Sequence, residues 1–357
     1  MRWFLGASIC VLSLGACNKS SPAPDDKGAT PPAATGEAIE LHGAGATFPY
    51  PLYSKLFSEY GKLHPDVRVS YQSIGSGGGI QQILARTVDF GASDAPMTDA
   101  ELARAPGKLL HIPMTLGAVV VTYNLPGVAR LELSPEVVTA LFLGEIKTWD
   151  DARISALNPG VKLPALAVNA AYRSDGSGTT AVFTEYLAKV SPTWKSKVGA
   201  GKSVKFPVGM GAKGNEGVTG VVKTTPGTVA YVELAYAKQN QLPYAAVKNA
   251  SGKLVEPTPE GITAAAAGAV IPEDFRVSIT NAPGEGAYPI SAFTYVLVSA
   301  EQADAKKGKA LADLLLWSLG DGQQLGAPLH YAALPAAVAE KAAASVRAMT
   351  AGGKPLL

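Results

Sequence analysis

A chain of 357 residues, 47% of them apolar, has material for two ordinary domains or one large one, which excludes disorder of the whole. The formal net charge is +2 and no basic run occurs, which argues against a nucleic-acid binder. The four histidines (His42, His64, His111, His330) show no metal-ligand spacing, so neither a metal nor a cofactor is expected.

Residues 1–16 read as a signal sequence. Arg2 supplies the positive start, and the apolar run from Trp3 to Leu14 is too short to span a bilayer. It ends in Leu14-Gly15-Ala16-Cys17, which resembles a bacterial lipobox, where small residues precede a cysteine that becomes lipidated and N-terminal after cleavage. The alternative is an ordinary secretory cleavage site beside a chance cysteine. The lipoprotein reading is favoured because Cys10 leaves with the signal and Cys17 is then without a disulfide partner. Residues 17–38 continue as a Pro-, Ala-, Ser- and Gly-rich tether with nothing to bury. The later Ile262 to Ile271 stretch is mostly alanine and too short to cross a membrane.

The body opens with a strand at Ile39 to Gly43 and a helix whose stripe is Leu52, Leu56, Tyr60 and Leu63, with Pro49 and Pro51 in its first turn and His64-Pro65 ending it. Val67, Val69 and Tyr71 alternate as a second strand, and a helix follows with Ile80, Ile83 and Leu84 inward. Val88, Phe90 and Ala92 form a third strand that carries Asp94 out at its end. This βαβαβ order implies a parallel sheet with helices on both faces, in which ligands bind beyond the strand C-termini. Gly117 to Tyr123 is a strand expected to cross into a second domain, and Ser134-Pro135-Glu136 starts a helix through Leu143. Trp149 reads as packing. Gly209 to Gly220 reads as a tight glycine-rich turn before a short helix. It resembles a phosphate loop only loosely, because Lys213 precedes the turn. Thr228 to Val232 is a strand, Leu234 to Gln239 a short helix, and Tyr288 to Ser299 an apolar strand that can cross back. Helices at Lys309 to Leu319 and Ala336 to Met349 close the chain.

The richest chemistry lies at Tyr172-Arg173-Ser174-Asp175-Gly176-Ser177-Gly178-Thr179-Thr180. An extended run from Leu166 to Tyr172 leads in. Val182, Phe183, Tyr186, Leu187 and Val190 follow at helical spacing. Arg173 then sits at a strand end and Ser177 to Thr179 at a helix start, where unpaired N–H groups and a partial positive charge attract anions. Ser177 and Thr179 add hydroxyls, Gly178 permits close approach, and Arg173 adds a fork of donors that Asp175 can orient. Alone, the stretch reads equally as a capped strand–turn–helix with a surface arginine. Gly43 to Pro49, Ile74 to Gly79 and Asp89 to Pro96 share its grammar, so together they make a plausible anion cage.

These pieces resemble the phosphate-binding proteins of bacterial phosphate-specific ABC transporters. The resemblance is carried by Gly43-Ala44-Gly45-Ala46-Thr47-Phe48-Pro49, Gly75-Ser76-Gly77-Gly78, Thr87 to Asp94, Leu157-Asn158-Pro159-Gly160 and Arg173 to Thr179. Pro226 to Glu233 and Tyr331-Ala332-Ala333-Leu334-Pro335 extend it, and it runs in order from about Leu41 to the C-terminus. It implies a two-domain α/β periplasmic-binding-protein fold of the double-crossover type, each domain a sheet flanked by helices, with residues 39–116 and 288–357 as domain I and 117–287 as domain II. By resemblance, one phosphate is held in the cleft by Thr47, Phe48, Ser76, Asp94, Arg173, Ser177, Gly178 and Thr179, with Asp175 steadying Arg173. Gly77 stands where some relatives carry serine, and Tyr172 where some carry a second arginine. The partners implied are inorganic phosphate and the permease subunits with their cytoplasmic ATPase. The protein is expected to be a monomer outside the cytoplasmic membrane, in the periplasm or cell envelope, anchored through Cys17.

Asp94 is the odd residue, because a carboxylate in an anion site repels its ligand. It makes sense if the ligand brings a proton, as phosphate does at neutral pH and sulfate does not. Two other readings stay open. One is a phosphate-ester hydrolase with Ser177 or Thr179 as nucleophile, although no Gly-x-Ser-x-Gly elbow surrounds Ser177 and no base is placed beside it. The other is a surface protein built on the same scaffold.

Overall fold

The computed structural model describes residues 38–357. The signal sequence, Cys17 and the tether up to Glu37 lie outside the described residues. β1 (Ile39–Gly45), α1 (Tyr50–Leu63), β2 (Val67–Ser73), α2 (Ser76–Leu84) and β3 (Phe90–Ser93) follow the expected order. β1 pairs in parallel with β2 along its length and with β3 through Gly43–Gly45. The three C-terminal ends therefore reach one edge, the edge at which such sheets take ligands. α1 buries Leu52, Tyr53, Leu56 and Tyr60 on one stripe, and α2 buries Ile80 and Ile83.

β4 (Leu109–Tyr123), β5 (Asn169–Arg173), β6 (Met210–Ala212), β7 (Thr228–Glu233) and β8 (Ser291–Ser299) complete an eight-stranded mixed sheet of order β2-β1-β3-β8-β4-β7-β5-β6. β4 runs 15 residues. Its Leu109–Ala118 portion pairs antiparallel with β8, and Val119–Tyr123 pairs antiparallel with β7. One strand therefore belongs to both halves of the sheet. Its start lies upstream of the expected Gly117, because nearly all of it is buried and burial on both faces erases alternation. Beyond it β7, β5 and β6 are parallel, so the second half repeats the layout of the first.

The flanking helices are α3 (Pro135–Phe142), α4 (Gly178–Val190), α5 (Gly214–Thr224), α6 (Leu234–Gln239), α7 (Ala305–Leu319) and α8 (Ala336–Arg347). α3 is capped by Ser134, whose Oγ accepts the Val137 N–H. α7 begins before the expected Lys309 because Asp304 accepts the N–H groups of Lys306 and Lys307. The strand expected from Leu166 shortens to Asn169–Arg173, with Ala167 making only an isolated bridge to Thr148. β8 starts at Ser291 rather than Tyr288, two residues after Pro289, which has no N–H to donate. Trp149 is buried, and its indole N–H donates to the Gly227 carbonyl at 2.8 Å, so it is core.

Candidate anion-binding site

The β1–β3 side contributes three strand ends. Thr47 and Phe48 link β1 to α1, Ser76 opens α2, and Asp94 follows β3. All four are buried. The Asp94 N–H donates to Ser76 Oγ at 3.3 Å, and Ser76 Oγ lies 3.4 Å from Asp94 Oδ2. Gly75 sits at φ +88° with its missing Cβ aimed at Asp175 and Gly176, so the turn into α2 needs glycine both for conformation and for space.

The opposite side is built on β5 and the start of α4. Arg173, buried at the end of β5, grips Asp175 with two bonds, Nε to Oδ1 at 2.8 Å and Nη2 to Oδ2 at 2.5 Å. Its Nη1 donates to Thr179 Oγ1 at 3.3 Å. Asp175 Oδ1 also accepts the Gly214 N–H at 3.0 Å, which ties the start of α5 to the same pair. Ser177 is the N-cap of α4: its Oγ accepts the Thr180 N–H at 3.0 Å. The Gly178 N–H reaches across to Ser76 Oγ at 3.1 Å. A Cβ at Gly178 would run into Ser76 Oγ and Asp94, so the close approach of the two sides depends on glycine there. The structure thus brings Thr47, Phe48, Ser76, Asp94, Arg173, Ser177, Gly178 and Thr179 into one buried cluster, with Asp175 half-buried at its margin.

Electrostatics separates the two aspartates. Burial pushes Asp94 up to about 7, against the Thr294 hydrogen bond (Oγ1 to Oδ1, 2.9 Å), the Arg173 charge and the Ser76 hydroxyl. A cavity of about 260 Å³ borders Asp94, with apolar Met97, Val182 and Phe293 and charged Glu185 and Arg276 among its walls. Burial also acts upward on Asp175, but the Arg173 bonds and charge and the Gly214 N–H outweigh it and hold this carboxyl below its usual range.

Several contributors carry no local signal in the sequence. The Tyr236 hydroxyl donates to the Thr47 carbonyl at 2.6 Å, and the Tyr331 hydroxyl to the Phe48 carbonyl at 2.7 Å. The Tyr331 hydroxyl oxygen also lies 3.2 Å from Glu233 Oε2, and burial drives that carboxyl well above its ordinary range. The Gly209 to Gly220 stretch is more than a tight turn. It includes β6 and the first residues of the 11-residue α5, and it sets Asn215, fully buried, against Thr47 and Thr179. Here a signal does exist, since a Gly-rich stretch before a helix is the grammar of the other three. His111 is structural: its Nε2 accepts the Met97 N–H at 3.0 Å, and burial takes it down to about 4. Among the described residues, no group of three or more His, Cys, Asp or Glu could hold a metal ion.

A family model described as a PBP superfamily domain matches residues 28–318. The chain is 45% identical over 316 residues to the phosphate-binding protein PstS of Xylella fastidiosa strain Temecula1, covering 87% of this chain and 86% of that one. Against PstS of Pasteurella multocida the identity is 46% over 313 residues, with 87% and 90% covered. Against PstS of Methanocaldococcus jannaschii it is 40% over 364 residues, with 93% and 90% covered. Among solved structures, a high-affinity periplasmic phosphate-binding protein (PfluDING) bound with phosphate superposes with TM-score 0.69 at 22% identity, covering 86% of this chain and 93% of that one. A phosphate-binding protein from Stenotrophomonas maltophilia gives TM-score 0.67 at 19% identity, covering 86% and 94%. These likenesses show the fold, a mixed α/β periplasmic-binding-protein fold whose large sheet is flanked by helices. With a superfamily model spanning most of the chain and close relatives matching over nearly its whole length, the chain belongs to the PstS family of phosphate-binding proteins.

Proposed function

We propose that this chain is a phosphate receptor. It binds inorganic phosphate between the side carrying Thr47, Phe48, Ser76 and Asp94 and the side carrying Arg173, Ser177, Gly178 and Thr179, then delivers it to an ABC permease with its cytoplasmic ATPase. The observation that carries this reading is Asp94. It is a buried carboxyl beside the first turn of α4 and is pushed up to about 7. In its ionised form, which the Thr294 and Ser76 hydroxyls and the Arg173 charge favour, such a group repels a fully deprotonated anion and accepts a hydrogen bond from one that keeps a proton. Phosphate at neutral pH keeps one and sulfate does not. A site that leaves a buried polar group unpaired with the wrong ligand can discriminate on the order of 10⁴-fold. The cation opposite is already matched by Asp175, so much of the attraction comes from oriented N–H groups and hydroxyls.

The lobes are taken as residues 39–116 with 288–357, and 117–287, with β4 and β8 crossing between them. Ser177 supports a binding role over catalysis, because its hydroxyl oxygen caps α4 through the Thr180 N–H. We place the chain in the periplasm or cell envelope as a monomer, lipid-anchored through Cys17. Among the described residues no helix is long and apolar enough to cross a membrane.

The test is calorimetric titration of the purified chain with phosphate and then sulfate, after unfolding and refolding to strip carried-over ligand. One-to-one phosphate binding without sulfate heat is expected. Binding of both anions would discard the role of Asp94 but keep the cage. Binding of neither, or turnover of a phosphate monoester, would return the enzyme and surface-protein readings.

A further inference from the structure

Asn215 lies outside the anion-contact set above, yet it touches both sides of the cleft. It is fully buried as the second residue of α5. Its amide has one workable orientation. Oδ1 accepts the Glu233 backbone N–H at 2.9 Å, so the NH₂ group must face the other way. Nδ2 then donates to Thr47 Oγ1 at 2.7 Å and to Thr179 Oγ1 at 3.1 Å. The Asn215 backbone N–H adds a second bond to Thr47 Oγ1 at 3.3 Å. Arg173 Nη1 adds a second bond to Thr179 Oγ1, also at 3.3 Å.

A hydroxyl has one proton to give and two lone pairs to accept with. On Thr47 and on Thr179 both acceptor positions are filled from within the protein. The single proton of each is therefore left to point elsewhere. We infer that Asn215 is a positioning residue that fixes the Thr47 and Thr179 hydroxyls as donors, one from each side of the cleft. Two points of the site then accept only bare oxygens, and a protonated ligand oxygen is steered away from them. This rests on the phosphate reading and deepens it: the oxygen that carries the proton is left to find Asp94 because both threonines refuse it.

The test is a set of calorimetric phosphate affinities on the full chain, with thermal midpoints recorded alongside. Asn215→Ala removes one of the two donors that hold each hydroxyl, leaving an acceptor position open on both, and is expected to weaken binding about 10- to 100-fold. The same change made in a Thr47→Val/Thr179→Val background is expected to cost less than about 3-fold, because no hydroxyl is left to orient. Asn215→Asp replaces the donor with an acceptor that draws both protons inward, and it is expected to weaken binding by more than about 10³-fold. That carboxylate can also disturb folding, so the alanine cycle is the deciding comparison. An Asn215→Ala cost that is equal in both backgrounds would make Asn215 a packing residue and overturn the inference. So would Asn215→Asp binding as tightly as the parent chain. A parent chain that binds no phosphate would instead overturn the underlying reading, and this inference with it.

Discussion

The two sides of the site each bring one aspartate, Asp94 buried and Asp175 half-buried, and their surroundings drive them in opposite directions. Asp175 meets a guanidinium in two-pronged contact and a backbone N–H, and it is held below its usual range. Asp94 meets only hydroxyls from Thr294 and Ser76, and burial takes it up to about 7. Neutral hydrogen bonds offset part of the desolvation of a carboxylate, whereas a paired cation offsets more than all of it here. One side therefore supplies a fixed ion pair, and the other a carboxyl whose charge is not tied to a paired cation. Pairs of titratable groups pushed apart in this way mark a division of labour.

The largest effect should come from removing the feature that makes the sides unequal. Arg173→Ala is expected to weaken phosphate binding by ~3–5 kcal/mol, since Asp175 and the ligand charge would both stay buried without their partner. Calorimetry on the variant checks it, and a loss under about 1 kcal/mol would put the ligand elsewhere. Adding Asp175→Asn to that variant should recover part of the loss by removing the stranded carboxylate.

Next in size is the other aspartate. If the ionised Asp94 accepts the ligand proton as proposed, Asp94→Asn replaces that acceptor with an uncharged side chain that can donate at any pH, so sulfate should begin to compete. The expected gain in relative sulfate affinity is about 100-fold or more, read by competition titration. An unchanged phosphate-to-sulfate ratio would remove the proton-accepting role of Asp94.

The same comparison has a stability consequence in ligand-stripped protein. The unfolded chain holds the Asp94 proton only below its ordinary pKa, about 4, while the folded chain keeps it to about 7. The folded state binds more protons across that window. Its stability is therefore full below about pH 4 and declines as pH rises through 7. Asp175 has the opposite sign: its contribution is present above its unfolded pKa and is lost as pH falls through its depressed folded value. Denaturant melts across pH 4–8 should show the decline, and Asp94→Asn should flatten it. A decline of equal slope in Asp94→Asn would assign it to another buried carboxyl, Glu233 first.

Much of this arrangement is legible in the sequence because local rules place it. Arg173 and Asp94 end strands, and Ser76 and Gly178 begin helices, so alternation and capping are enough to put them on one edge. Asp175 is two residues from Arg173, and proximity along the chain suggests the pair. The groups that escape such reasoning act through distant contacts. Asn215 reaches a threonine 168 positions away, Tyr331 a carbonyl 283 away, and Thr294 a carboxyl 200 away. Nothing local marks Thr294. It lies inside a strand whose flanking residues are nearly all buried, and only the antiparallel pairing of β8 with β3 brings that strand beside Asp94.

Thr294 also gives the smallest and sharpest test of the comparison. Its hydroxyl donates to Asp94 Oδ1 at 2.9 Å, and it is the leading influence holding that carboxyl down against burial. Thr294→Val keeps the shape and removes the donor. The carboxylate loses stabilisation relative to the acid, so the Asp94 pKa should move higher still. In ligand-stripped protein, the pH range over which stability declines should shift upward by the same amount. Phosphate affinity should change by only about 10-fold or less, because the acceptor itself remains. A range that stays put, or moves down, would mean that Asp94 is set by burial alone and that the two sides differ only in their cation.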